Sequence, residues 1–222
     1  MLFNATHSEE LRVATVDGQK LLDFDIEVAG KQQRKGNIYK GIITRIEPSL
    51  EACFVNYGED RHGFLPFKEI PRVRSDQGDS VTDPKIRQLP KEGTEILVQV
   101  DKEERGKKGA ALTTYISLAG KYIVLMPNTA KGGGISRKIF NSQDRRHIRE
   151  IINTLSIPNT MGLIVRTAGA KKTQNDIKND LDVLIGMWEK IKYKTLNSNA
   201  PNLIHEEGDL IYRAIRDFLT ND

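Results

Sequence analysis

The sequence predicts an α+β protein with more than one domain, and three observations lead to this prediction. The first half of the chain holds short runs of β-branched and aromatic residues between turn residues, which is typical of β-strands. After Gly120 the pattern changes, because compact apolar runs there alternate with helical stretches. A length of 222 residues is sufficient for one large domain or two modest ones.

The first 28 residues predict antiparallel strands. Residues 11–16 form one candidate strand, and Asp17-Gly18 is a hairpin turn signal. In residues 22–28 apolar and acidic side chains alternate, which indicates a half-buried strand. We expect the acidic side of this strand to be a solvated face rather than a metal site, because no histidine or further acid converges on Asp23, Asp25 and Glu27.

Five strand-like segments predict a small barrel between residues 36 and 118, after a basic connector at residues 30–36. They cover residues 37–46, 51–57, 62–67, 94–101 and 110–117, and a long polar loop separates the third from the fourth. Residues 102–109 form a positive loop that suits a phosphate backbone, although a solvated hairpin tip explains it equally well. Short strands, one long connection and no long helix are typical of the oligonucleotide-binding (OB) fold.

Phe54 and Phe64 are the candidate functional residues of this barrel. Strand side chains alternate between faces, so Phe54 lies opposite Cys53 and Val55, and Phe64 lies opposite Leu65. Each phenylalanine then shares a face with polar or small residues, which predicts a platform on which unpaired bases stack. The alternative is a shifted register that puts one or both rings in the core. The platform is flanked by three cations: Arg61, Arg45 and Lys40.

The second half of the chain predicts a small α/β domain with an anion site. Residues 121–126 and 161–165 are apolar runs typical of buried strands, and residues 131–137 are expected to be a flexible basic loop. Thr173 and Asp176 have capping-box spacing at the start of a long helix. Arg166 and Thr167 stand between the second strand and this helix, where a helix dipole and a guanidinium fork favour an anion. The alternative is an ordinary connection that carries a surface arginine.

Composition limits the class of protein. The net charge of +4 and the pI of about 9.0 fit an RNA-contacting protein without requiring one. The single cysteine, Cys53, excludes an internal disulfide and a multi-cysteine zinc site, and we expect it to be a small core residue. The sequence has no nucleotide-binding or hydrolase motif. No apolar stretch approaches the roughly 20 residues of a membrane span, and no leader opens the chain, so we expect a soluble, cytoplasmic protein.

Several runs resemble the amino-terminal part of the catalytic region in the ribonuclease E/G family. They are EELRVATVDGQ, NIYKGIITRIEPSLEACFVNYGEDRHGFLP, VDKEERGKKGAALTTYISLAG, GGISR and MGLIVRTAG, and the resemblance covers essentially the whole chain. It implies an OB-fold RNA-binding barrel at residues 36–118, inserted in a partial ribonuclease-H-like fold made of residues 1–35 and 203–222. It also implies a 5′-sensor α/β domain at residues 119–202. Neither terminal segment is large enough to bury its own apolar face, so the two are expected to pack together or against something missing.

The resemblance also implies roles for individual residues. Those that match RNA-contacting positions of the barrel are Phe54, Phe64, Lys108, Tyr57 and Arg34. Those that match the pocket for a 5′-monophosphate are Gly120, Val124, Arg137, Arg166 and Thr167. The two phenylalanines and the Arg-Thr pair are also the candidates that the residue pattern alone predicts. The polar loop at residues 72–93 matches no family pattern, so its contacts stay open.

The function that the resemblance implies is that of an endoribonuclease acting in RNA processing, rRNA processing and mRNA decay. The family cuts RNA with magnesium held by two aspartates of a later domain, and a cysteine pair shares zinc between the subunits of a homo-oligomer. Neither feature has a match in this sequence. We therefore predict a truncated form that binds single-stranded RNA, preferably 5′-monophosphorylated, without cofactors and without cleaving it. The alternatives are an autonomous RNA-binding module and a scaffold that docks an acidic protein; oligomerisation of this chain stays open.

Overall fold

The computed structural model describes residues 1–28, 33–71, 90–106, 108–130 and 133–219. Most of the predicted polar loop, residues 72–89, lies outside these ranges. By its contacts the chain divides into two compact units. One unit comprises residues 1–34, 117–188 and 207–222, and the other comprises residues 35–116 and 189–206.

An antiparallel sheet opens the chain, in the order β1-β2-β3. Its strands are β1 (Leu2–His7), β2 (Glu10–Asp17) and β3 (Lys20–Val28). The predicted strands and hairpin are confirmed, and Val13 on β2 is buried. The apolar side of β3 was expected to be half-buried, but Leu22 and Phe24 are 57% and 50% exposed. The alternating pattern correctly predicted the strand. It did not show how much of the strand's apolar face is covered by other elements.

The predicted OB barrel is confirmed as a closed five-stranded barrel. Its strands are β4 (Ile38–Glu47), β5 (Ala52–Asn56), β6 (Gly63–Pro66), β7 (Glu95–Lys102) and β8 (Ala111–Thr113). Neighbours pair in the order β4-β5-β6-β8-β7, and β4 also pairs with β7, which closes the barrel. The core includes Tyr39, Ile43, Cys53, Val55, Leu65, Val98, Val100 and Leu112. Burial raises the pKa of the Cys53 thiol to about 11, as expected of a core residue.

A four-stranded sheet and two helices follow the barrel. They are β9 (Leu118–Ala119), β10 (Ile123–Met126), β11 (Gly133–Ile135), α1 (Ser142–Thr154), β12 (Gly162–Val165) and α2 (Gln174–Leu196). The sheet order is β11-β12-β10-β9, and β11 is parallel to β12. The expectation of a flexible loop at residues 131–137 is wrong for its described part, because Gly133 and Gly134 pair with β12. Glycines carry no side chains that alternate, so this strand left no pattern in the sequence.

The last elements are β13 (Asn202–His205) and α3 (Leu210–Phe218). β13 pairs with β4 at the barrel, whereas α3 packs on the first sheet through Leu210 and Ala214, which contact Val13. The Glu27 carboxylate on β3 accepts a hydrogen bond of 2.8 Å from the backbone N–H of Leu210. The two terminal segments therefore pack together, as expected. The four-domain division that the resemblance implies stays a prediction.

Candidate nucleic-acid interface

Phe54 and Phe64 form an aromatic pair on the outside of the barrel. They are direct cross-strand partners on β5 and β6, with ring centroids 5.9 Å apart and ring planes inclined by 67°. Both rings are half-buried, whereas the alternating neighbours Cys53, Val55 and Leu65 are buried. The predicted face is thus confirmed, and the alternative that these rings lie in the core is wrong. Such a pair presents aromatic surface to which a base can stack.

The cations near the aromatic pair differ in how exposed they are and in how strongly other groups of the protein bind their charges. Arg45 is the cross-strand partner of Phe54, and its side chain is 69% exposed although it contacts Glu47. Arg61 donates a hydrogen bond of 2.5 Å to the carbonyl oxygen of Gly106. Arg45 therefore keeps a largely exposed charge beside the aromatic pair, and Arg61 ties the loop before β6 to the loop after β7.

Lys40 does not serve as the third flanking cation that the sequence predicted. Its ammonium group donates 2.8 Å to the carbonyl oxygen of Ser198 and lies 2.7 Å from the Glu95 carboxylate, and its side chain is 13% exposed. The hydrogen bond from Lys40 holds the pKa of the Glu95 carboxyl below its usual range. Lys40 therefore stabilises the barrel, and parity along β4 did not reveal this because both partners are distant in sequence.

Lys108 lies at an exposed hairpin tip close to the strand that carries Phe64. The tip is closed by hydrogen bonds of 3.1 Å and 3.2 Å between the backbones of Lys108 and Arg105. The next residue, Gly109, packs so tightly that a Cβ there would lie 2.1 Å from the carbonyl oxygen of His62. The backbone N–H of Phe64 then donates 2.8 Å to the carbonyl oxygen of Ala110. The Lys108 ammonium is therefore carried on a backbone that is anchored beside the aromatic strand.

Tyr57 and Arg34 complete the five predicted RNA contacts, and the structure places them differently. Tyr57 is 1% exposed, and its ring packs edge-on against Tyr39 with centroids 5.0 Å apart. Its hydroxyl group donates 3.4 Å to Glu104. Since no ring face of Tyr57 is open to a base, we treat it as a core residue and not as an RNA contact. Arg34 is exposed in the segment that leads into β4.

The second predicted site lies at one edge of the four-stranded sheet. Parallel strands β11 and β12 are in register at Ile135 and Val165, so their carboxyl ends meet at the same edge. Arg137 follows β11 on an exposed turn, and Arg166 and Thr167 follow β12 directly. The backbone N–H of Arg166 donates 2.8 Å to the carbonyl oxygen of Tyr122, which fixes the chain as it leaves the strand. Val124 is half-buried within β10, paired with β9 and β12.

The guanidinium group of Arg166 is held by one of its three nitrogens. NH1 donates 2.5 Å to the carbonyl oxygen of Gly120 and 2.7 Å to the Asp217 carboxylate. The side chain stays 27% exposed, and within the described ranges neither Nε nor NH2 of Arg166 has a hydrogen-bond partner. Nε and NH2 together form the two-pronged edge that binds a carboxylate or phosphate with two parallel hydrogen bonds.

The long helix begins directly after its predicted cap at Thr173, but it does not reach Arg166, where its dipole was expected to favour an anion. A single 3₁₀ turn, Thr167–Gly169, follows Arg166, and α2 begins only at Gln174. The predicted capping box is confirmed: the N–H of Thr173 donates 3.0 Å to Asp176, and the N–H of Asp176 donates 3.2 Å to the Thr173 hydroxyl. The dipole of α2 therefore acts several residues away from Thr167, because dipole effects are confined to the first turn. Attraction of an anion at this corner depends on side chains instead.

Asp180 shapes the corner, and sequence reasoning missed it. Its carboxylate accepts backbone N–H groups from three successive residues, Lys121, Tyr122 and Ile123, at 2.8–3.1 Å. A Cβ at Gly120 would lie 2.5 Å from this carboxylate, so glycine is required there. A signal was present, since Asp180 lies three residues after Ile177 on the buried stripe of α2. An acid on an apolar stripe indicates a partner in the interior.

Replacing Asp180 with alanine is expected to lower the free energy of unfolding by about 2–4 kcal/mol, because three backbone donors lose a charged acceptor. Urea denaturation of the two proteins measures this difference. Asp182→Ala, at an exposed position of the same helix, is the matched control and is expected to change stability by less than about 0.5 kcal/mol. Equal stability of the two variants would contradict the structural role of Asp180.

Among the described residues, the structure also bears on a metal site and on a membrane-spanning helix. Across the described ranges, no group of three or more His, Cys, Asp or Glu residues is arranged to hold a metal ion. In the same part of the chain, no helix combines the length and the apolar character needed to cross a bilayer. The two candidate sites are the aromatic pair with its cations in one unit and the corner around Arg166 in the other.

Comparison with known proteins agrees with this picture. Residues 32–114 match the S1 RNA binding domain, and residues 117–222 match the ribonuclease E/G family. The whole chain is 56% identical to proteins named ribonuclease E from Haemophilus influenzae and Escherichia coli K12, of which it covers 24% and 21%. It is 33% identical to ribonuclease G of Salmonella typhimurium, with 98% of this chain and 45% of that protein aligned.

The chain thus spans about a quarter of the length of the ribonuclease E relatives from Haemophilus influenzae and Escherichia coli. The two family matches adjoin along the chain, and the identity to ribonuclease E extends over all of it. This chain therefore contains a ribonuclease E/G family domain at residues 117–222 and an S1 domain at residues 32–114.

Proposed function

We propose that this chain is the RNA-binding and 5′-end-sensing portion of an endoribonuclease of the ribonuclease E type, acting in RNA processing and mRNA decay. The barrel binds single-stranded RNA by stacking, and the corner around Arg166 recognises a 5′-monophosphate. The single observation that carries the proposal is the pair formed by Phe54 and Phe64, two rings left half-open on the outside of an S1 domain.

Single-stranded RNA is the substrate class that fits the aromatic pair best. The bases of a duplex are already stacked on their neighbours, whereas unpaired bases have faces open to an aromatic ring. Stacking on a ring contributes about 1–3 kcal/mol per base and depends little on base identity. Arg45 and Lys108 supply exposed positive charge for the backbone near these rings. The barrel is therefore proposed to bind unpaired RNA with little sequence preference.

A terminal phosphate is the ligand that fits the corner. The free Nε and NH2 edge of Arg166 matches two phosphate oxygens, and the exposed hydroxyl group of Thr167 provides a further donor. A 5′-monophosphate carries more negative charge and one more non-bridging oxygen than an internal phosphodiester. A 5′-hydroxyl end offers no anion, so the corner distinguishes the two ends. Arg137, on the neighbouring turn, adds positive charge at the same edge of the sheet.

Cleavage is not assigned to these residues. The magnesium and zinc that the family resemblance implies find no fitting set of side chains in the described ranges. We therefore derive no catalytic step and propose that the 222-residue chain binds RNA without cutting it. Incubation of the chain with a short 5′-monophosphorylated RNA and magnesium tests this, and hydrolysis at the rate of a complete ribonuclease E would contradict it.

The proposed sensing is tested by titrating the chain with one single-stranded RNA that carries a 5′-monophosphate, 5′-triphosphate or 5′-hydroxyl end. We expect the monophosphate to bind about 10-fold tighter than the hydroxyl form, since charge-assisted hydrogen bonds contribute about 1.5–3 kcal/mol each. Fluorescence anisotropy at constant salt measures the three dissociation constants. Equal affinities would remove the sensor proposal.

A second candidate function is an autonomous RNA-binding module without end recognition. The match of residues 32–114 to the S1 RNA binding domain favours it, because that segment contains the whole aromatic pair. Such a module binds the three RNA ends with equal affinity and loses binding when the two phenylalanines are replaced. The same titration therefore separates the two functions.

A further inference from the structure

We infer that Asp217 is a positioning residue for Arg166: it holds the guanidinium by NH1 so that the Nε and NH2 edge faces the 5′-monophosphate. The inference rests on the proposed function of the corner and adds to it a residue that makes no contact with RNA itself. It also gives helix α3 a role in sensing, because Asp217 lies on α3.

The hydrogen bonds of Arg166 set the orientation of its guanidinium. NH1 carries two hydrogens, and the Gly120 carbonyl oxygen and the Asp217 carboxylate accept one each, at 2.5 Å and 2.7 Å. With both hydrogens of NH1 engaged, the planar group has no freedom to rotate about its Cζ–Nε axis without losing a bond. Its opposite edge is thereby kept available in the geometry that two-point phosphate binding requires.

Asp217 is itself fixed by Arg216. Nε and NH2 of Arg216 donate 3.0 Å and 3.3 Å to the two oxygens of the Asp217 carboxylate. NH1 of Arg216 donates 2.5 Å to Glu207 and 3.4 Å to the carbonyl oxygen of Ala119. These side chains are only 12–27% exposed, so solvent screening of their charges is reduced. The four charges alternate in sign from Arg166 through Asp217 and Arg216 to Glu207, and each side chain restrains the next.

The position of Asp217 on α3 explains why it faces inward. Leu210, Ala214 and Asp217 have the spacing 0, +4, +7 that places residues on one helical face, and the first two contact Val13. Packing of α3 on the first sheet thus brings the Asp217 carboxylate to Arg166. The hydrogen bonds from Arg216 and Arg166 hold the pKa of the Asp217 carboxyl below its usual range despite partial burial, so Asp217 is ionised at neutral pH.

A carboxylate this close to Arg166 has two opposite effects on anion binding. It fixes the geometry of the guanidinium, and it offsets part of its positive charge. If the effect on guanidinium geometry dominates, removal of the Asp217 charge weakens recognition of the 5′-monophosphate. If the carboxylate instead competes with the phosphate for Arg166, its removal strengthens that recognition. The structure favours the effect on guanidinium geometry, because Asp217 binds NH1 of Arg166 and leaves the Nε and NH2 edge open.

The test compares the affinity of one single-stranded RNA with a 5′-monophosphate or a 5′-hydroxyl end across a set of full-length variants. We expect Asp217→Asn to lower the monophosphate preference about 5- to 10-fold while the affinity for 5′-hydroxyl RNA stays unchanged. Asp217→Glu is expected to restore most of the preference. Asp217→Asn added to Arg166→Gln is expected to cause no further loss, since both act through the same group. Glu150→Gln, at an exposed acid of α1, is the matched control.

The outcomes separate this inference from the function on which it rests. No monophosphate preference in the unchanged chain would overturn both. If Arg166→Gln removes the monophosphate preference but Asp217→Asn leaves it intact, only the positioning role of Asp217 is overturned. A monophosphate preference that rises in Asp217→Asn would overturn that role as well. A general loss of stability lowers the affinity for both RNA ends, whereas the ratio of the two affinities reports the positioning of Arg166. Additive losses in the double variant would also overturn the inference.

Discussion

Replacing Phe54 and Phe64 together with alanine is expected to weaken binding of single-stranded RNA by about 100-fold. Each ring is half-buried on the barrel surface, and the proposed stacking of a base on it contributes about 1–3 kcal/mol per base. The effect is expected to be the same for 5′-monophosphate and 5′-hydroxyl RNA, because the rings read bases and not the end. Each single variant is expected to lose about 10-fold.

Anisotropy titrations with a short unstructured RNA measure this loss, and thermal unfolding of the variants checks that the barrel remains folded. Phe140→Ala is the matched control, because Phe140 is 89% exposed in the connection between β11 and α1 and has no proposed RNA contact. Unchanged affinity in the double variant would exclude the aromatic platform. It would favour the interpretation in which the basic loops dock an acidic protein.

Replacing Arg166 with alanine is expected to abolish the preference for a 5′-monophosphate. The variant lacks the Nε and NH2 edge that is proposed to donate two hydrogen bonds to the phosphate. Affinity for monophosphorylated RNA is therefore expected to fall about 10-fold, while 5′-hydroxyl RNA binds as before. Arg166→Lys is expected to recover little of the preference, because an ammonium group lacks the planar fork that contacts two oxygens at once.

The control for this prediction is Arg146→Ala, which removes an exposed charge from α1 in the same unit. It is expected to weaken both RNA forms equally and slightly, as loss of a nonspecific phosphate contact does. Urea unfolding of Arg166→Ala checks that the protein stays folded when Gly120 and Asp217 lose their hydrogen bonds from NH1. A preserved monophosphate preference in Arg166→Ala would contradict the assignment of the corner.

The barrel and its aromatic pair were predictable from the sequence for a physical reason. Side chains on a strand alternate between faces, so the identity of one core residue assigns its neighbours. Cys53 and Val55 therefore determined the outward direction of Phe54, and the same rule placed Tyr57 inside, against the role that family resemblance implied. Parity thus separated the half-buried Phe54 and Phe64 from the buried Tyr57, whereas the family pattern grouped all three as RNA contacts.

The parts that could not be predicted depend on contacts between distant residues. The corner around Arg166 includes hydrogen bonds to Asp180 and Asp217, which come from two different helices. Neither belongs to a motif, and each appears in the sequence only as an acid on an apolar helical stripe. The dipole of α2 was expected to act at Arg166, but a 3₁₀ turn, which has no distinct sequence signal, separates Arg166 from the helix start at Gln174. Lys40 was likewise read as a free cation because its partner Glu95 is 55 residues away.

The central claim, that RNA bases stack on the outside of this barrel, is tested most directly by isotope-filtered NMR of the chain with a short single-stranded RNA. Nuclear Overhauser effects between base protons of the RNA and ring protons of Phe54 and Phe64 are the predicted result. RNA that binds with base contacts elsewhere and leaves both rings unperturbed would contradict the claim.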